Sequence, residues 1–253
     1  YLGTSIVVWT SLIGIILASL SVGYWYGGRL ADRRPTHKAL ATIILVSAAF
    51  VAAIPVLKGP VLDFLQLTVA NFSVNAVLAT LILFAPPSVV LGMVSPYAVR
   101  LRVQNLKTSG ATVGRLYAIS TVGSIAGTFL AGFYLIAYFG STKILLVLAC
   151  VLLMTSGLAY SRGLIIARAV LLMLLVGLVV FVSGQELVLA NQGIHHIDTR
   201  YSHVVIYSSI DEESGNRPTI AMMTNPRETQ SAMYVDAPED LVLRYTRFYH
   251  SPA

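Results

Sequence analysis

Six runs of mostly apolar residues, at roughly 5–27, 39–57, 65–99, 116–138, 143–160 and 164–183, fill most of the first 183 positions of this chain. A helix that crosses a bilayer needs about 20 such residues to match the hydrocarbon thickness. At that depth every backbone N–H and C=O must bond within its own segment, which favours helices. The runs therefore predict a mainly α fold. It is a polytopic transmembrane helix bundle of about six spans over 1–183, followed by a small soluble α+β tail over 184–253. The third run is too long for one straight helix, and Pro86, Pro87 and Pro96 interrupt it. A kinked helix, or a helix plus a short re-entrant piece, is expected there.

Charge orients the runs. Arg29, Arg33, Arg34 and Lys38 lie in one connection, Arg100, Arg102, Lys107 and Arg115 in a second, and Arg162 and Arg168 in a third. The opposite connections hold only Lys58 and Lys143. Ten cations against two is a positive-inside pattern. It assigns the chain to the cell membrane, with 29–38 and 100–115 cytoplasmic and the tail on the outer face. The net charge of +6 is thus a topological signal. A nucleic-acid surface would need basic residues interleaved with a soluble aromatic platform, and there is none. Cys150 is the single cysteine, which excludes intrachain disulfides and CxxC sites.

Within the runs, Gly123–Gly127 and Gly23–Gly27 are GxxxG pairs, and the former lies in a stripe of small residues. Such pairs let helices approach backbone to backbone. Packing within the bundle is the main expectation, and a homodimer contact the other. Asn71 and Asn75 are read as one polar helix face with Gln66 nearby, as interhelical hydrogen-bonding groups or the lining of a solute path. Only Asp32 and Asp63 are acidic before residue 184, and no acid or Lys sits mid-span, which argues against proton-coupled transport. Arg168, near the start of the sixth run, is expected to snorkel to the interface. The run Gly27-Gly28-Arg29-Leu30-Ala31-Asp32-Arg33-Arg34 is the most distinctive membrane motif. Its glycines are expected to end a helix, and Asp32 to pin the loop against a neighbouring helix end.

The tail holds the other nine acids. Residues 201–209 and 218–224 read as two strands of a β-hairpin joined by a longer loop. Asp236 reads as the N-cap of a helix carrying Leu241, Val242, Tyr245, Phe248 and Tyr249. His195, His196, Asp198 and His203 fit no zinc spacing, so no metal site is expected and the HHxD stretch reads as a solvated linker.

Several stretches together resemble the membrane-fused spermidine synthase-like proteins, which join a major-facilitator-like helical region to an aminopropyltransferase. They are Tyr1–Ser5, Val8–Ser11, Gly23–Arg33, Leu83-Phe84 with Pro87, Gly92–Tyr97, Gly114–Thr121 and Gly123–Thr128 in the helical part. In the tail they are Thr199–Tyr207, Gln230–Tyr234 and Tyr245–Tyr249. Gly27, Gly28, Arg29, Asp32 and Arg33 are similar to the GxLaDR loop of major-facilitator transporters. The resemblance implies that the tail is the small β-domain that precedes a Rossmann-like catalytic domain. In that family the Rossmann-like domain holds decarboxylated S-adenosylmethionine and the acidic residue that deprotonates the attacking amine. No GxG-type turn follows a strand in the tail, so no catalytic residue is assigned. The cofactor is expected only if that domain is supplied elsewhere, as a missing domain or a partner subunit. The resemblance implies a substrate-facing role for Tyr201, Gln230 and Tyr245. Ser202 and Thr246 stand where the soluble synthases carry glutamines. The chain begins at Tyr1 within an apolar stretch, and a longer architecture is expected at both ends. The expected function is therefore aminopropyl transfer in a larger protein. The alternatives are a non-enzymatic scaffold subunit and a small-solute transporter.

Overall fold

The computed structural model describes residues 6–103, 109–160, 164–191, 193–198, 203–211, 215–225, 228–240 and 242–243. Helices α1 (Ile6–Arg33), α2 (His37–Thr68), α3 (Phe72–Gly92), α4 (Val94–Arg102), α5 (Ser109–Leu130), α6 (Ile136–Ala159) and α7 (Ile165–Asn191) come first. A π-helical turn, Ala131–Leu135, joins α5 to α6. Strands β1 (Ile194–Asp198), β2 (His203–Asp211), β3 (Arg217–Asn225) and β4 (Glu228–Tyr234) follow. Among the described residues, six helical spans, with α3 and α4 counted as one, are long and apolar enough to cross a membrane. Their outward faces are apolar to an extent water would not tolerate. Leu158 is 87% and Ile166 81% exposed. Lipid is the solvent such faces require, so this is a multi-pass membrane protein.

Contacts divide the chain into two compact units, residues 1–134 with 141–179, and residues 135–140 with 180–253. In the first unit, α2 is the central element. Leu45, Ala48, Val51 and Ala52 pack with Leu146, Ala149 and Leu153 of α6 and with Leu171 and Leu175 of α7. Because lipid is as apolar as these side chains, close van der Waals packing holds this core, with little from water exclusion. Small Ala48 and Ala149 are fully buried and bring α2 and α6 close together. Ser156 Oγ of α6 donates to Ala41 O of α2 at 2.9 Å in the same seam.

The boundaries differ from the sequence expectation in three instructive places. Run 65–99 is split, because residues 65–68 end α2 and α3 starts only at Phe72. Asn71 is the N-cap of α3, and its Oδ1 accepts from the N–H groups of Ser73 (3.0 Å) and Val74 (3.2 Å). It therefore shares no helix face with Asn75, and Gln66 belongs to a different helix. Pro86 and Pro87 lie inside α3, whereas the break falls at Met93. The Pro96 ring would clash with the carbonyl four residues earlier, that of Gly92, so the helix opens there and restarts as α4. Finally, α1 runs on through Gly27 and Gly28 to Arg33, and the connection to α2 shrinks to 34–36. Ala31, 1% exposed, packs with Ile43 and Tyr97, and this burial carries the helix past the glycines.

α6 contains one non-helical residue, Gly140, at φ 69° and ψ 160°, a conformation that only glycine adopts without strain.

In the second unit the strands form one antiparallel meander, β1-β2-β3-β4. The expected hairpin is its centre, β2 against β3, turning through Gly215 (φ 83°) and Asn216 (φ 60°). Two flanking strands were not expected. Residues 194–198, read above as a linker, pair with β2 from Ile194↔Tyr207 to Asp198↔His203. Strand pairing satisfies the backbone groups that a linker would leave to water. The expected helix start at Asp236 is instead a turn, with Asp240 N–H bonded to Ala237 O at 3.0 Å. Residues 244–250 of that expected helix lie outside the described residues.

Candidate functional site

Gly23 and Gly27, the latter opening the GxLaDR-like motif, act in packing. At Gly23 an added Cβ would lie 2.2 Å from Val89 O, and at Gly27 2.6 Å from Met93 Cα. From the other side, a Cβ on Gly92 would lie 2.7 Å from Leu20 O. Helix α1 thus crosses α3 backbone to backbone, and the break at Met93 seats on Gly27. Gly28 has open space around it.

Past this crossing, four polar contacts organise one end of the helical unit. Tyr97 of α4 is fully buried and its hydroxyl donates to Arg34 O, closing the 34–36 turn. The same oxygen receives Thr36 N–H at 3.4 Å. Asp32 pairs with Arg100 Nε at 3.1 Å, joining the last turn of α1 to α4. Both partners are at least half exposed, so the pair contributes about 0–1 kcal/mol and mainly sets register. Arg29 folds back over the Trp25 ring of its own helix at 3.7 Å, and Arg33 is exposed.

Arg168 is half-buried and does more than snorkel. Its Nη2 donates to Ser156 O (2.7 Å) and Tyr160 O (2.6 Å), two carbonyls at the C-terminus of α6. A cation at that position satisfies orphan carbonyls and the negative end of the helix dipole together.

At this same end an open cleft of about 540 Å³ lies among α1, α2, α3, α4, α5 and α6. A second cavity of about 420 Å³ adjoins it at Leu116 and Ile119 and carries Arg102 and Arg115. Neither is lined by Asn75. That residue is 4% exposed, with its Oδ1 unpaired among the described residues.

The other small-residue pair behaves differently. A Cβ at Gly123 or Gly127 would meet nothing within 4 Å, and none of the residues of α5 is buried. The expected packing of this pair within the bundle is not made among the described residues.

Of the tail residues singled out from sequence, Tyr201 and Tyr245 lie outside the described residues. Gln230 is exposed on β4 at an irregularity. Met222 pairs with Ser231 but Met223 pairs with Thr229, so Gln230 is the extra residue of a β-bulge. Bulges re-aim side chains and often border sites. The sheet also holds a polar cluster that was not singled out from the sequence. Arg217 meets Asp236 twice, Nε–Oδ2 and Nη2–Oδ1, each at 3.1 Å. It reaches Asp240 at 3.3 Å, and its guanidinium lies 3.9 Å above the Tyr234 ring. Tyr234 Oη donates to Asp211 at 2.6 Å. Hydrogen bonding from Arg217 holds the Asp236 carboxyl below its ordinary range, and Asp236 in turn raises Arg217. The period-2 alternation of Arg217, Thr219 and Ala221, opposite Tyr234 and Ala232, was the available signal for a shared face. Asp236 comes to Arg217 only through the β3–β4 pairing.

Chemically these are positioning contacts. Among the described residues no three His, Cys, Asp or Glu side chains gather as metal ligands. Comparison with protein families, curated proteins and solved structures finds no match to this chain.

Proposed function

We propose that this chain is the membrane part and leading β-domain of a spermidine synthase-like protein. The helices anchor the protein, and the tail presents a β-platform to a Rossmann-like catalytic domain supplied beyond these residues or by a partner. The observation that carries the reading is the meander. Residues 203–207 and 230–234, from two stretches of the resemblance, lie in strands β2 and β4 of one sheet. Gln230 stands at the bulge of that sheet.

The reaction would join an amine nitrogen of a polyamine to the aminopropyl carbon of decarboxylated S-adenosylmethionine. The carbon–sulfur bond breaks, methylthioadenosine leaves, and a carboxylate of the catalytic domain takes the amine proton. The positive-inside pattern of ten cations against two in the sequence supports a cytoplasmic side for the basic connections and an outer side for the tail.

Membranes from cells with and without the intact gene test the activity. Methylthioadenosine release from decarboxylated S-adenosylmethionine and putrescine is expected to depend on the gene. Equal release from both overturns the proposal. Protease that trims the tail only from the cytoplasmic face of oriented vesicles overturns the sidedness.

A second reading, a scaffold subunit of a membrane complex, is favoured by α5, which buries no residue. Cysteine crosslinking from Gly123 and Gly127 to another chain, with polyamine synthesis unaffected by deletion, would select it. Solute transport has less support, because neither cavity at the basic end reaches Asn75.

A further inference from the structure

The adjoining cavities at the basic end form one amphipathic groove. The larger is lined almost wholly by apolar side chains, among them Leu20, Ile44 and Leu152, and has a few hydroxyls such as Ser120. Its roughly 540 Å³ falls within the ~300–1,000 Å³ usual for small-molecule sites. The smaller continues from it through Leu116 and Ile119 to Arg102, Thr112 and Arg115.

The charge there is uncompensated. The helical unit contains two acids, Asp32 and Asp63. Asp32 is taken by Arg100, and Asp63 lies near the far end of α2. Arg102 and Arg115 are both exposed, and neither has an acidic partner among the described residues. The start of α5 at Ser109 adds the positive end of its dipole to the same region.

We infer that this groove binds an anionic phospholipid of the surrounding leaflet. The headgroup phosphate sits between Arg102 and Arg115, and an acyl chain runs past Leu116 into the apolar cleft. A free phosphate would leave the apolar cleft unused, and a zwitterionic lipid would carry its own cation to the arginines. An anionic lipid matches both halves. It also suits the depth, because Arg102 ends α4 and Arg115 lies in the second turn of α5, near the ends of membrane helices. Guanidinium groups suit phosphate through paired N–H donors. The inference does not depend on the aminopropyltransferase reading.

The test is native mass spectrometry of the full chain, delipidated in detergent. It is titrated with phosphatidylglycerol or phosphatidylcholine of identical acyl chains. The unaltered chain is expected to retain phosphatidylglycerol preferentially. Each of Arg102→Ala and Arg115→Ala should weaken it about fivefold, the effect of one interfacial cation. The Lys replacements should retain most of the binding. Ser120→Trp, which fills the cleft, should weaken the lipid but not glycerol phosphate. Equal retention of the two lipids by the unaltered chain overturns the inference, whatever the variants do. Displacement of phosphatidylglycerol by inorganic phosphate, with Ser120→Trp silent, overturns it in favour of a simple anion site.

Discussion

Two glycine pairs with the same spacing have opposite fates. Gly23 and Gly27 lie against Val89 and Met93, closer than any side chain would allow. Gly123 and Gly127 face open space on a helix that buries nothing. The spacing permits close approach, but approach also needs a complementary surface. α3 supplies one, because Gly92 and the break at Met93 present bare backbone to α1. No described residue does this for α5, which leaves the stripe to lipid or another chain.

The comparison breaks most directly by adding bulk. Gly23→Leu should destabilise the helical unit by about 1–3 kcal/mol or more, since the blocking atoms are backbone. Gly123→Leu should stay within about 0.5 kcal/mol in the monomer. Thermal unfolding of both variants in detergent measures the contrast, and a costly Gly123→Leu would show that the α5 face is occupied. Next in size is Arg168→Ala, which uncaps α6 at Ser156 and Tyr160. The loss of charge-assisted bonds predicts about 1.5–3 kcal/mol, read in the same assay, with Arg168→Lys recovering part of it. Tyr97→Phe tests the polar rim of the α1–α3 crossing. It removes the hydroxyl from Arg34 O and Thr36 N–H, and should cost about 1 kcal/mol and raise amide exchange at 34–36.

The smallest effect lies in the sheet, where charge replaces glycine packing as the local tie. Asp236 has its carboxyl pKa lowered from the ordinary 3.8 by Arg217. A lowered carboxyl contributes stability that is complete above 3.8 and is lost as pH falls through the folded value. Acid below that point should therefore loosen the 236–240 turn. Asp236→Asn should remove the dependence, and the helical unit should not respond. Amide exchange of Asp240, read at several pH values, checks this.

Much of the helical architecture was legible because lipid imposes a rule on length and polarity that short apolar runs cannot evade. The spans and the basic end could be read off the residues. The central hairpin was legible from alternation and from the turn residues between 211 and 216. β1 was not, because Ile194-His195-His196 looks polar until β2 lies beside it. Asn71 and Asn75 share a spacing that suggests one helical face, yet a cap and a buried amide serve different ends. Gly23 and Gly27 were legible as a close-approach pair, whereas Gly27 and Gly28 do not end the helix as expected, because α1 runs on to Arg33.

By itself the sequence determined the membrane class, the number of spans, the segregation of cations to one end and the change of composition near 184. These follow from transfer free energies summed along the chain, and they need no partner. Only the tertiary structure decided which glycine pair is a crossing, where Arg168 finds its carbonyls, and that Arg102 and Arg115 border an apolar groove. It also decided that Arg217 meets Asp236 and Asp240. Each of these depends on what a distant segment places opposite, and the interactions act over only a few ångströms.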